Sequence, residues 1–280
     1  MKNIPLTKLQ DTSVFRKIAM GTWKTAKDPS VYGILEIDVT KTLENLSEYT
    51  RNHDVKITPS HLVGKALAHC MKKRPEINGM IRGRRIWLRE SVSLFYQVNI
   101  PGEGKDKVRK ATLAGCTVEH AEKKKLFEIA NDLKEKALKV REYKDKDITK
   151  NLNTFKFIPW WFSHIYLNIA SFLLYGLNLN LSFLGLPRDP FGSAMITNIG
   201  SFGIDLGLAP LCPYTRVPLL LSVGAISDKV LVVEGEMAIR KVLPIGVTFD
   251  HRLIDGIHAS QMARDFKKCF ENPSEFLFED

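Results

Sequence analysis

The stretch Phe249-Asp250-His251-Arg252-Leu253-Ile254-Asp255-Gly256 decides how this chain is read. It follows an apolar run, Ile245 to Phe249, that reads as a strand. It leads into an amphipathic helix expected from about Gly256 to Phe270, with Met262, Ala263, Phe266 and Phe270 inward. The HxxxDG pattern thus puts one histidine and one carboxylate at a strand-to-helix junction. There the backbone holds side chains firmly and a ligand can still reach them. Taken alone, His251 is more readily a packed residue, and Asp255 more readily a helix cap, than either is catalytic. The context adds weight. Upstream, Ile196-Thr197-Asn198-Ile199-Gly200-Ser201-Phe202-Gly203 forms a second strand-turn unit with a hydroxyl near its tip.

The rest of the chain mixes strands and helices without strict alternation. Val31 to Val39 reads as a half-buried strand. Thr58-Pro59 opens a helix, with a capping residue and then proline at the first helical position. Leu62, Val63, Ala66, Leu67, Cys70 and Met71 give it one apolar face, and Lys72-Lys73-Arg74-Pro75 end it. Strands are expected at 85–89, 91–100 and 108–119, the last two joined by a turn near Gly102 and Gly104. A helix is expected over 123–140, then a polar linker over 145–150. Further strands are expected at 193–198, 219–225, 230–233, 237–240 and 245–249. Pro244 cannot donate to a ladder, so the last strand is expected to begin there or to have a free edge there. The pattern is that of one mixed α and β domain over residues 1–280.

Composition narrows the functional classes. With 280 residues and 44% apolar content the chain can bury a substantial core. Cys70, Cys116, Cys212 and Cys269 are widely spaced and carry no CxxC or Cys/His metal pattern, which fits free thiols in a reducing, cytoplasmic setting. The start of the chain has no apolar signal core. His61 and His69 are too far apart on one helix to chelate an ion easily, and no metal is expected. The net charge of +10 serves solubility or attracts an anionic partner. The basic residues from Lys72 to Lys110 lie among apolar strand residues and form no nucleic-acid motif, so a phosphorylated cofactor fits better than nucleic acid. Phe157 to Pro187 stands apart as an uncharged segment rich in Trp, Phe, Leu and Ile. Three readings of it stand open: a buried or lid-forming insertion, an interfacial membrane element, and a spanning helix.

Together, Ser193 to Gly203 (SAMITNIGSFG), Phe249 to Gly256 (FDHRLIDG) and the Pro218–Gly235 stretch between them resemble the catalytic domain of 2-oxoacid dehydrogenase dihydrolipoyl acyltransferases. Chloramphenicol acetyltransferase shares that fold. The resemblance runs from about Phe15 to the C-terminus and is broken by 157–187. It implies a two-layer sandwich: a mixed sheet with helices packed on one side. It implies His251 as the general base that takes a proton from the thiol of coenzyme A or dihydrolipoamide. It implies Thr197 as the hydroxyl that hydrogen-bonds the tetrahedral oxyanion. Asp255 would orient the loop through an ion pair whose partner in the fold is an early arginine, matched here by Arg16 in Phe15-Arg16-Lys17. It also implies a homotrimer, or a multiple of trimers, with active sites between subunits. The residue before His251 is Asp250, which suits the dehydrogenase-type pattern rather than the HHxxxDG of condensation-type acyltransferases.

Only 14 residues precede Phe15, so this chain is expected to carry no lipoyl group of its own. Acyl groups would arrive on a coenzyme A thioester, an acyl carrier protein or a lipoyl domain in trans. No residue is singled out for cofactor binding. The leading reading is an acyltransferase. Two others remain: a non-catalytic oligomeric scaffold of the same fold, and an acyltransferase that works on a lipid-like acceptor at a membrane surface, contacted through 157–187.

Overall fold

Leu219, Leu221 and Val223 alternate with Leu220 and Ser222, so β8 (Leu219–Val223) must cover something on both faces. The same alternation runs through the main sheet of the computed structural model, which describes residues 3–8, 28–100, 112–141, 159–184 and 186–279. The sheet contains β2 (Ser30–Asp38), β5 (Leu94–Ile100), β6 (Thr112–Val118), β7 (Ala194–Asn198), β8, β9 (Ser227–Val233) and β10 (Glu236–Asp250). Its order is β2-β10-β8-β7-β5-β6, and β9 pairs with the first half of β10. The β5–β7 and β7–β8 pairs are parallel and the others antiparallel, so the sheet is mixed as expected. A small sheet, β1 (Leu6–Lys8), β4 (Arg85–Arg89) and β3 (Gly79–Arg82), lies apart from it.

One face of the main sheet carries the helices. Leu94, Tyr96, Ala194, Ile196, Ile245 and Val247 point into a single core with α1 (Thr40–His53), α2 (Pro59–Lys73), α3 (Leu126–Arg141) and α5 (Gly256–Glu271). Helix α2 begins at Pro59 as expected, and Thr58 and His61 close a capping box at its N-terminus. At its other end Lys73 and Arg74 each reach the buried carboxylate of Asp265 on α5, both at 2.7 Å. These cations suit a helix C-terminus and pin α2 to α5. The apolar residues expected inward on α2 are all buried, as are Met262, Phe266 and Phe270 on α5.

Two local expectations change. Residues 237–240 and 245–249 are one strand, β10, which runs straight through Pro244. Within an antiparallel strand a residue's N–H and C=O point to the same neighbour. The Pro244 carbonyl accepts from Gly224 N–H at 2.9 Å, so the missing donor faces the point where β8 ends and the chain bends into β9. On that bend the absent N–H costs the ladder little. The second change is α1, which is not among the expected elements although Leu43, Leu46 and Tyr49 recur at helical spacing. A short α6 (Pro273–Phe276) closes the chain behind α1 and α5. The β5–β6 pair is antiparallel through Ile100 and Thr112, as a hairpin requires. Its turn near Gly102 and Gly104 and the 145–150 linker lie outside the described residues.

The uncharged segment supplies α4 (Trp160–Ser171), continued by a wider turn over Phe172–Gly176. Leu174, Tyr175 and Leu181 form a second core with Ile4 and Met80, against the small sheet. Among the described residues no helix is long and apolar enough to cross a membrane. The spanning-helix reading is set aside on length: α4 and the turn that continues it, Trp160 to Gly176, rise about 25 Å at most against a hydrocarbon layer of about 30 Å.

Candidate active site

His251 follows the last residue of β10, and its own backbone N–H donates to the Pro29 carbonyl at 2.9 Å. The turn is fixed from several sides. Asp250 N–H donates to Pro218 O, and both Leu253 and Ile254 N–H donate back to Asp250 O, all at 2.9 Å. Leu253 and Ile254 are buried and plug the turn into the core. The Asp250 carboxylate, on a residue only 7% exposed, accepts from Arg252 Nε at 2.9 Å, from Arg252 Nη2 at 2.7 Å and from Arg252 N–H at 2.9 Å. This forked pair braces the loop that presents His251. In the sequence Asp250 serves only to separate the dehydrogenase-type pattern from HHxxxDG, and Arg252 carries no expected role. Their spacing across one histidine at a strand end was the available signal.

Asp255 stands at the N-cap of α5 and accepts from His258 N–H at 3.0 Å and from His258 Nδ1 at 2.5 Å. The carboxylate therefore fixes the start of the helix and a second imidazole. Arg16, its expected ion-pair partner, lies outside the described residues.

Thr197 is half-buried on β7, next to Asn198, whose Nδ2 donates to Ser60 Oγ at 3.0 Å at the start of α2. Asn198 Oδ1 accepts from Ser201 N–H at 3.0 Å, which closes the turn expected after the strand. Just below, His61 Nδ1 accepts from Thr58 N–H at 3.1 Å. Burial holds the His61 pKa down, from the ordinary 6.5 to about 4. That imidazole is neutral near pH 7, which the cap requires, since a protonated Nδ1 could not accept.

The two motifs do not meet within one chain. Thr197 is level with Ser222 of β8, and Ser222 is level with Gly246 of β10. His251 comes five residues beyond Gly246. At about 3.4 Å per residue that is about 17 Å along the sheet, with about 10 Å more across two strand spacings. The two side chains are thus about 20 Å apart, far beyond hydrogen-bond reach. The His251 turn sits at one end of the sheet and the Thr197 turn toward the other.

The face of the sheet away from the helices is covered by the loop after Thr197. Ser222 Oγ donates to Gly207 O, and Ala225 N–H to Ile204 O at 3.1 Å. A Cβ on Gly246 would run into the Gly207 carbonyl, and one on Gly224 into the Asp205 carbonyl. These two glycines let the loop lie directly on the strands. The loop still shows Phe202, Ile204, Leu206 and Leu208 to solvent. The outer hairpin of β9 and β10 does the same: Val230 faces Ile239 and Val232 faces Met237, all four 65–83% exposed. Among the described residues no group of three or more His, Cys, Asp or Glu could hold a metal.

Comparison with known proteins gives this geometry a family. Residues 4–151 and 191–278 match the family model described as 2-oxoacid dehydrogenases acyltransferase (catalytic domain). The chain is 27% identical over 254 residues to the dihydrolipoyllysine-residue acetyltransferase component of the pyruvate dehydrogenase complex of Bacillus subtilis; the match takes in 90% of this chain and 47% of that protein. The chain therefore spans about half the length of the curated relatives it matches. Among solved structures, the cubic core of the pyruvate dehydrogenase multienzyme complex superposes with a TM-score of 0.64 at 17% identity, over 96% of this chain and 94% of that one. Chloramphenicol acetyltransferase superposes at 0.52 with 12% identity, over 94% and 99%. At those identities the structures speak for the fold, which is the mixed-sheet sandwich described above. The chain belongs to the family of 2-oxoacid dehydrogenase acyltransferase catalytic domains.

Proposed function

We propose that the chain is an acyltransferase that moves an acyl group between a coenzyme A thioester and an acceptor thiol, in sites shared between the subunits of a homotrimer. The observation that carries this is the sheet register. The His251 and Thr197 turns lie about 20 Å apart in one chain, so a site containing both needs a second copy. The exposed apolar faces of the β9–β10 hairpin and of the loop after Thr197 are surfaces that such an assembly would cover.

In this reading His251 accepts the proton of the acceptor thiol, and the thiolate attacks the thioester carbonyl. The Thr197 hydroxyl of a neighbouring copy donates to the oxyanion. Collapse expels the coenzyme A thiolate, which takes the proton back from His251. Imidazole is the commonest side chain for such a proton transfer near neutral pH. One oxyanion donor is worth about 2.7–4 kcal/mol. Asp255 fixes the start of α5. The acyl group arrives as a thioester of coenzyme A, of a carrier protein or of a lipoyl domain. The four cysteines, all free thiols, suit a reducing cytoplasm.

The test is thiol release from short-chain acyl-CoAs with dihydrolipoamide as acceptor. His251→Ala and Thr197→Val should each lose activity by about 10²-fold or more. Unfolding and reassembling the two variants together should restore part of it, because a mixed interface pairs an intact His251 with an intact Thr197. An inactive wild type sinks the acyltransferase reading. Active variants sink the residue roles. An active wild type with no recovery on mixing sinks the shared site.

A further inference from the structure

His251 stands on a turn that is held at both ends. Upstream, Arg252 grips the Asp250 carboxylate, and the amides of Leu253 and Ile254 donate to the Asp250 carbonyl. Downstream, the turn runs into Asp255, the N-cap of α5, in extended backbone. Asp255 Oδ1 accepts from both His258 N–H, at 3.0 Å, and His258 Nδ1, at 2.5 Å. These bonds do different things. The backbone bond satisfies an amide in the first turn of the helix, which is what an N-cap does. In a capping box the third helical residue reaches back to the N-cap amide and satisfies a second orphan donor. Here the third residue, His258, reaches back to the N-cap carboxylate instead. That bond relieves no amide, so the helix does not need it. What it fixes is the plane of the carboxylate. The side chains of His258 and Asp255 are only 22% and 20% exposed, which shields the bond from the screening that weakens surface pairs.

A carboxylate oxygen only accepts, so Nδ1 carries the proton of this bond. Two donors take up the lone pairs of Oδ1, which leaves Oδ2 as the oxygen with which Asp255 can serve the turn. We propose that His258 is a positioning residue for His251: its imidazole commits Oδ1 to α5 and so holds Oδ2 toward the turn. The Asp255–His258 pair and the Asp250–Arg252 fork then anchor the turn from its two ends. For its effect on turnover this inference rests on the acyl-transfer reading; its effect on the turn itself does not. His258 acts through Asp255 and not on the reacting atoms. Its loss misaligns His251 in the transition state and leaves substrate binding as it was, so the cost falls on kcat and not on KM.

The experiment compares the full chain with its His258→Ala, His258→Gln and His258→Asn variants. All three keep the N–H of residue 258, so α5 stays capped, and circular dichroism checks the fold. Asparagine carries an N–H donor as far from the backbone as Nδ1, while glutamine carries it one carbon further out, past Oδ1. One readout is turnover of short-chain acyl-CoAs with dihydrolipoamide. The other is amide hydrogen exchange at Leu253 and Ile254, whose N–H groups close the turn on Asp250. His258→Ala and His258→Gln should lose kcat by about 10-fold at an unchanged KM for the acyl-CoA. In both, the two amides should exchange about 10-fold faster, as the loss of one hydrogen bond to a charged group allows. His258→Asn should recover most of both. Turnover and exchange in His258→Ala that match the wild type overturn the proposal. So does a loss that the Asn and Gln variants share equally, which makes His258 a packing residue, or a raised KM at unchanged kcat, which makes it a substrate contact. A wild type without turnover strikes the acyl-transfer reading alone. Exchange then decides, and equal exchange in wild type and His258→Ala overturns the anchor.

Discussion

Arg252→Ala tests whether the Asp250–Arg252 fork holds the His251 turn. The variant removes the guanidinium from a carboxylate that is nearly enclosed and leaves the Arg252 backbone N–H as a donor to Asp250 Oδ1. Breaking a buried pair from one side costs about 3–5 kcal/mol, since it strands a desolvated charge. Arg252 itself is partly exposed and one donor survives, so the low end applies, about 3 kcal/mol. In urea that is a midpoint lower by about 1 M at an unchanged slope, with protein concentration held fixed because assembly would shift the midpoint too. Asp250→Asn alone should cost less, since it frees only the more exposed partner. The double variant should fall short of the sum of the singles by about 1–2 kcal/mol. A displaced His251 should also lower kcat by about 10- to 100-fold, given how steeply turnover depends on alignment. A cost of Arg252→Ala below about 1 kcal/mol, the range of exposed pairs, refutes the brace. So does a double variant that equals the sum.

Two further outcomes follow from the sheet and from α2. His61 binds its proton near pH 4 in the fold and near 6.5 when unfolded, so the unfolded chain holds more protons between those values. Stability should fall by about 3 kcal/mol as pH drops from 7 to 4. His61→Gln, which can keep the capping box, should flatten that window; an equal pH slope in both proteins removes His61 as the cause. Gly246→Ala should destabilise by about 1–3 kcal/mol because it forces the loop at Gly207 off the strands. Gly33→Ala on neighbouring β2, where an added Cβ meets nothing, should be neutral or stabilising by about 0.5–1 kcal/mol; equal losses at both positions in thermal melts would show that the loop contact is not what Gly246 serves.

What sequence could reveal follows the range of the interactions concerned. Strand β4, the start of α2 at Thr58-Pro59 and the inward face of α5 are set by neighbours within a turn or two, and they stand where periodicity and capping put them. Helix α1 escaped notice because Leu43, Leu46 and Tyr49 are its few apolar contacts among Thr, Lys, Glu and Asn. That face packs against the C-terminal helices. Pro244 depends on the same thing: the missing donor is harmless because no strand residue pairs with it on that side, and the neighbouring strands are distant in sequence. The site shows the limit most clearly. The two motifs are local and legible, and they suggest groups that act together. Their separation is a property of the β7–β8–β10 register, which no local pattern encodes. A histidine at one end of a sheet and a hydroxyl toward the other can share a reacting carbonyl only if another copy supplies one of them. If the two act on one carbonyl, assembly is a condition of activity for this chain, and dilution below the assembly threshold should extinguish turnover while leaving each subunit's fold intact.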